Sequence, residues 1–147
     1  MCGVLFRIVI IILASKALLA QDLRVLVLDA VNGKPQPGAE VHYFCQSDTR
    51  NIFPVDSDIT NSEGIAIVSH PCKENQKIVF FVTALPKDEC GDLRPLTLNE
   101  VSVIGIISPP DGEGEMQCPT KISRKLKPVP GQVIIFIKKP SFWQMLR

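Results

Sequence analysis

A chain of 147 residues with 46% hydrophobic side chains has the length and apolar content for one domain with its own core. Its 16 basic and 15 acidic residues nearly cancel. That balance argues against a nucleic-acid binder, whose footprint is a basic patch.

Residues 1–20 stand apart. Met1 to Arg7 carries one positive charge, Ile8 to Ala14 is unbroken apolar sequence, and Lys16 separates it from a second short apolar run, Ala17 to Ala20. A charged start, a short apolar stretch and a small residue before the mature chain form the pattern of a secretory signal peptide. Cleavage is expected after Ala20, leaving Gln21 first, with a cut after Ala17 as the alternative. A membrane anchor takes about 20 apolar residues, and Lys16 interrupts them here. The expected organisation is a signal peptide, 1–20, then a single domain, 21–147, that has no membrane span and is secreted or periplasmic. Removing Arg7 and Lys16 with the signal tips the remaining charge slightly acidic.

Short β-like runs then alternate with turn-rich breaks. Leu23 to Val31 is apolar apart from Arg24 and Asp29, and it leads into Asn32-Gly33-Lys34-Pro35-Gln36-Pro37-Gly38, which is dense in turn residues. Ala39 to Phe44 places Val41 and Tyr43 on one face and His42 and Phe44 on the other, a strand pattern. Gln46 to Ser62 reads as a long polar loop with one short strand near Ile52, and Gly64 to Ser69 as a short strand. Lys77 to Leu85 is a continuous apolar run rich in β-branched and aromatic residues, which predicts a strand buried on both faces. Pro86 to Leu98 reads as a loop, Glu100 to Ser108 as a strand, Pro109 to Pro130 as a long break, and Gln132 to Lys138 as the last strand. An apolar tail, 139–147, follows. Strands of this length with turn signals between them predict an all-β fold, a small antiparallel β-sandwich or a small barrel.

Cys2 leaves with the signal peptide. Cys45, Cys72, Cys90 and Cys118 remain, and an even count in an exported chain reads as two disulfides. Three pairings are possible. The preferred one joins Cys45 to Cys72 and Cys90 to Cys118, each closing a medium loop. A zinc site is disfavoured because no two cysteines form a Cys-x-x-Cys pair.

One stretch has a recognisable order: Val25-Leu26-Val27-Leu28-Asp29, Asn32-Gly33-Lys34-Pro35, Pro37-Gly38-Ala39-Glu40-Val41, and Thr60-Asn61-Ser62-Glu63-Gly64-Ile65-Ala66-Ile67. It resembles the carboxypeptidase regulatory-like domains, a prealbumin-like (transthyretin-like) β-sandwich group. Asn61 stands where that group usually has Asp, Val25 where it often has Gly, and from Lys77 onward the likeness is to strands alone. The resemblance implies an accessory sandwich of exported or envelope proteins without catalysis of its own. Such sandwiches are also similar to starch-binding-like domains.

The chemistry-bearing residues are sparse. His42 falls within a strand pattern and His70 precedes Pro71, with no Gly-x-Ser-x-Gly elbow to pair with either. Asp56, Asp58, Asn61 and Glu63 lack the spacing of an EF-hand loop and suit turns. No metal or other cofactor is expected. Phe142 and Trp143, in the tail with Met145 and Leu146, are candidate contact residues because aromatics dominate interface energetics. Tyr43 joins them, as Tyr43 and Trp143 are the chain's only Tyr and Trp. The sequence therefore points to a non-enzymatic exported sandwich that binds or scaffolds a protein or polysaccharide of the envelope or extracellular space. Its working end would hold the loops Gln46–Ser62 and Pro109–Pro130. A carbohydrate-binding module of starch-binding-like fold is the alternative.

Overall fold

The computed structural model describes residues 22–46, 54–69, 72–73, 75–90, 93–108 and 120–139. In chain order the elements are β1 (Leu23–Asp29), β2 (Glu40–Gln46), β3 (Pro54–Ile59), β4 (Ile65–Val68), β5 (Lys77–Thr83), β6 (Asp88–Glu89), β7 (Leu96–Thr97), α1 (Leu98–Val103), β8 (Ile106–Ile107), α2 (Thr120–Ser123) and β9 (Gln132–Lys138). They build two sheets. The first has the order β4-β1-β9-β6, with β8 also on β9, and the second has the order β3-β2-β5-β7. The fold is thus an all-β sandwich, and the second sheet is antiparallel throughout. The first is mixed, because β9 runs parallel to both β1 and β8. First and last strands can pair this way because almost the whole chain lies between them, well beyond the dozen residues a parallel crossover needs.

The alternation of side chains along each strand makes the core. Leu23, Val25 and Val27 of β1 and Val133, Ile135 and Ile137 of β9 meet Val41 and Tyr43 of β2 and Ile78, Phe80 and Val82 of β5. The opposite face of the first sheet is also covered. Leu28, Ala30, Cys90, Ile134 and Phe136 form a second buried cluster, against which Ile122 and Leu126 pack from the segment around α2. β9 is therefore the strand buried on both faces.

That finding corrects the expectation for β5. Its apolar run resembles that of β9, yet its burial alternates, and Phe81 is 52% exposed on the outer face. The sequence of β5 fits either state. The deciding difference is the α2 segment, which lies over the first sheet.

Two further expectations fail for local reasons. The expected loop Gln46–Ser62 contains a full strand, β3, antiparallel to β2. Its Asp-Ser-Asp sequence tolerates an edge position, and Asp58 Oδ2 accepts the Ile67 amide of β4 at 2.8 Å, which closes the corner between the sheets. The single short strand placed near Ile52 falls outside the described residues. The expected strand Glu100–Ser108 begins as helix α1, and only Ile106–Ile107 is strand. Thr97 caps α1: its hydroxyl accepts the Glu100 amide, and the Glu100 carboxylate accepts the Thr97 amide. This Thr-x-x-Glu reciprocity nucleates a turn that apolar content alone would assign to a strand. Gly105 ends it with φ +78°, its amide donating back to Glu100 and Val101. Hydrogen bonds from Arg94, the largest cause, and from Thr97 hold the Glu100 carboxyl at about 2. Thr97→Ala is expected to lower the unfolding free energy by about 1 kcal/mol in urea titration, the usual worth of an N-cap.

A disulfide joins Cys45, in β2, to Cys72 ahead of β5, with Cα atoms 5.4 Å apart. Cys90 is also disulfide-bonded. Its expected partner, Cys118, lies outside the described residues.

Candidate functional site

Two surfaces stand out: the open face of the second sheet and one end of the sandwich. On the open face, cross-strand partners share a side, so the register groups Glu40, Ile59 and Thr83, then His42, Ser57 and Phe81, then Phe44 and Val79. Ile59 is 64% exposed and Phe81 52%. The His42 imidazole lies against the Phe81 ring with centroids 6.2 Å apart, and its Nε2 is 3.7 Å from a Glu40 carboxylate oxygen. The result is an apolar stripe with Glu40 at its margin, while Asp56 and Asp58, opposite Tyr43 and Val41, belong to the other side of the edge strand β3.

The end of the sandwich where β1, β5 and β9 finish holds an open groove of about 420 Å³, lined by Gln36, Gly38, Ile59, Thr83, Leu85 and Lys87 among others. Leu85 precedes a cis peptide bond to Pro86 and is 85% exposed. The groove is braced from beneath. Lys87 Nζ donates to Asp29 Oδ2 at 2.7 Å and to Gln36 Oε1 at 2.6 Å. The other Asp29 oxygen accepts the amides of Val31 and Asn32. Burial opposes ionisation of Asp29, but these bonds outweigh it and hold the pKa below the ordinary carboxylate value. Thr60 ties the other wall: its buried hydroxyl donates to the Gln36 carbonyl at 2.6 Å and accepts the Ala39 amide at 2.9 Å. Gly64 then lies so close to β1 that an added Cβ would stand 2.8 Å from the Val27 carbonyl oxygen. The Pro-Gly-Ala and Thr-Asn-x-x-Gly sequences are therefore the parts that tie the wall of this groove to β1.

The residues singled out from sequence do not converge. Tyr43 is a core residue at 4% exposure, its hydroxyl donating to the Ser69 carbonyl at 3.2 Å, so its ring faces are not offered to a ligand. Burial and the nearby Asp56 push its phenol pKa up. Phe142, Trp143 and His70 lie outside the described residues. Asp58 is spent on the Ile67 amide, and Asn61 Oδ1 accepts the amides of Glu63 and Ile65, each bond structural. Among the described residues no three His, Cys, Asp or Glu side chains gather at metal-binding spacing. Among them, too, no helix is long and apolar enough to cross a membrane. β3 divides the expected loop Gln46–Ser62, and residues 47–53 and 109–119 of the two expected loops lie outside the described residues.

Sequence reasoning overlooked Phe81 and Ile59. The available signal was the pairing of a two-faced apolar run, β5, with a strand, β2, whose outward residues are mixed polar and apolar. Comparison of the chain with protein-family models, with curated proteins and with solved structures returns no match.

Proposed function

We propose that this protein is a non-enzymatic exported binding or scaffolding module, built like the carboxypeptidase regulatory-like sandwiches, that holds a protein partner on the open face of its second sheet. The observation that carries this reading is the unequal treatment of two similar strands. The chain covers the outer side of β9 with its own α2 segment and leaves Phe81 and Ile59 of the other sheet exposed. An exposed apolar stripe rimmed by polar groups is how partner surfaces present themselves. Glu40, on the same side as Ile59 and Thr83, favours a partner that carries a cation beside its apolar contact. The Cys45–Cys72 disulfide suits an oxidising compartment, and the pattern of residues 1–20 supplies a route there. Burial of Tyr43 removes one of the two aromatics on which the carbohydrate alternative relied.

The test is a pull-down of extracellular proteins with oxidised 21–147, alongside the Phe81→Asp and Ile59→Asp variants. The expected result is one partner retained by the parent protein and released at least tenfold more readily by both variants, with unchanged thermal unfolding. A partner retained equally by all three proteins, or a polysaccharide in its place, defeats the reading.

A further inference from the structure

We infer that the cover of the first sheet, the segment 121–127 with Lys34 beside it, is a binding surface for an anionic polysaccharide. It is separate from the apolar face of the second sheet and lies on the far side of the molecule.

The near-neutral total hides a strong local asymmetry. Lys121, Arg124, Lys125 and Lys127 fall within seven residues that contain no acid. Their neighbours Ile122 and Leu126, four residues apart, are side chains that pack on the cluster containing Leu28, Ile134 and Phe136. Burying that pair directs the four cations away from the sheet, and all four are exposed. The β1–β2 turn abuts the same segment. A Cβ on Gly33 would stand 3.2 Å from Ile122 Cγ2, and the exposed Lys34 is the next residue. Among the described residues, ion pairs join His42 to Glu40, Lys87 to Asp29 and Arg94 to Glu100, and none involves these five cations. Of the other described acids, Glu40, Asp56, Asp58 and Glu63 lie around β2, β3 and the turn after it, Asp22 precedes β1, and Asp88 and Glu89 form β6 beside the last residues of β9.

A row of cations on a firmly packed base, with no acid in the row, suits a polymer of regularly spaced negative charge. Each contact releases condensed counterions, which makes such binding strong at low salt and steeply salt-dependent. No aromatic stands among residues 120–139 except the buried Phe136, so base stacking has no platform there. That absence, together with the disulfide, favours a sulfated or carboxylated glycan over a nucleic acid. The choice of glycan rests on the export reading; the polyanion surface itself does not.

The experiment measures binding of oxidised 21–147 to heparin across a salt gradient. Two double variants carry the same change in net charge: Arg124→Gln with Lys125→Gln in the patch, and Lys73→Gln with Lys77→Gln at the opposite end. A four-site variant replaces Lys121, Arg124, Lys125 and Lys127 with Gln. The expected result is retention of the parent protein at about 0.15 M salt and at least tenfold weaker binding for the four-site variant. The slope of log affinity against log salt should fall by about one per cation removed. The patch double should lose clearly more affinity than the control double, and Phe81→Asp should bind heparin as the parent does. Equal losses in the two doubles, or no retention of the parent, overturn the proposal. Displacement of heparin by single-stranded DNA at matched charge concentration overturns the choice of glycan. The patch variants should still capture the protein partner, so failure here is distinguishable from failure of the binding-module reading.

Discussion

Gly105→Ala is expected to be the most damaging single-atom-scale change in the domain, lowering stability by about 3–5 kcal/mol or preventing folding. Two costs add. The residue sits at φ +78°, where a side chain costs about 1–2 kcal/mol. An added Cβ would also fall on the Val129 backbone, which cannot swing aside as a side chain can. Gly105 stands between α1 and β8, and the Gly131 amide, two residues after Val129, bonds the Val101 carbonyl at 2.8 Å. Displacing Val129 therefore disturbs both the entry to β9 and the helix that Val101 anchors in the core. Gly131→Ala is the matched control. Its φ is +75°, but nothing lies within 4 Å of the added Cβ, so only the conformational cost of about 1–2 kcal/mol applies. Urea unfolding of the two variants measures the difference, and equal midpoints would refute the close approach at Val129.

Loss of the Asp29 carboxylate has the second largest expected effect, and it depends on pH. Asp29→Ala removes the acceptor for Val31, Asn32 and Lys87 together. A fully buried pair broken on one side costs about 3–5 kcal/mol; Lys87 retains some access to solvent, so about 2–3 kcal/mol is expected. The native pKa of Asp29 lies below its unfolded value of about 4. Its ionised form therefore contributes stability that is complete above that value and is lost as pH falls through the native pKa. Asp29→Asn keeps the shape and one acceptor but not the charge. The stability gap between parent and Asp29→Asn should be constant near neutrality and shrink as pH drops below about 4. A gap that stays constant into acid would show that Lys87 gains nothing from the ionised carboxylate. Glu100 titrates in the same acid range in both proteins and cancels in the comparison.

How much of the site was legible in sequence varies with the range of the interaction. The basic run Lys121-x-x-Arg124-Lys125-x-Lys127 stands in plain view, yet the whole-chain charge concealed it, because sums discard position. Thr97-x-x-Glu100 has the spacing of a cap, although the β-branched residues that follow point to a strand. In both cases a local pattern of few residues carried more information than the composition around it.

The sequence by itself determined the all-β class, the two-sided alternation of β2 and the turn at Asn32–Gly38. Those depend on the strand period of two and on the φ preferences of Gly and Pro, both local properties. The sequence left three cysteine pairings open, among which the structure shows Cys45–Cys72. Only the tertiary structure decided which apolar strand face is covered and which is open. The runs Ile78–Val82 and Val133–Ile137 are nearly interchangeable as text. Their burial differs because one lies beneath Ile122 and Leu126 and the other lies beneath no described segment, a contact set by the path of the chain rather than by either strand. The same holds for Tyr43, a candidate contact residue by sequence, which points inward because the pairing of β2 with β5 places it on the core side.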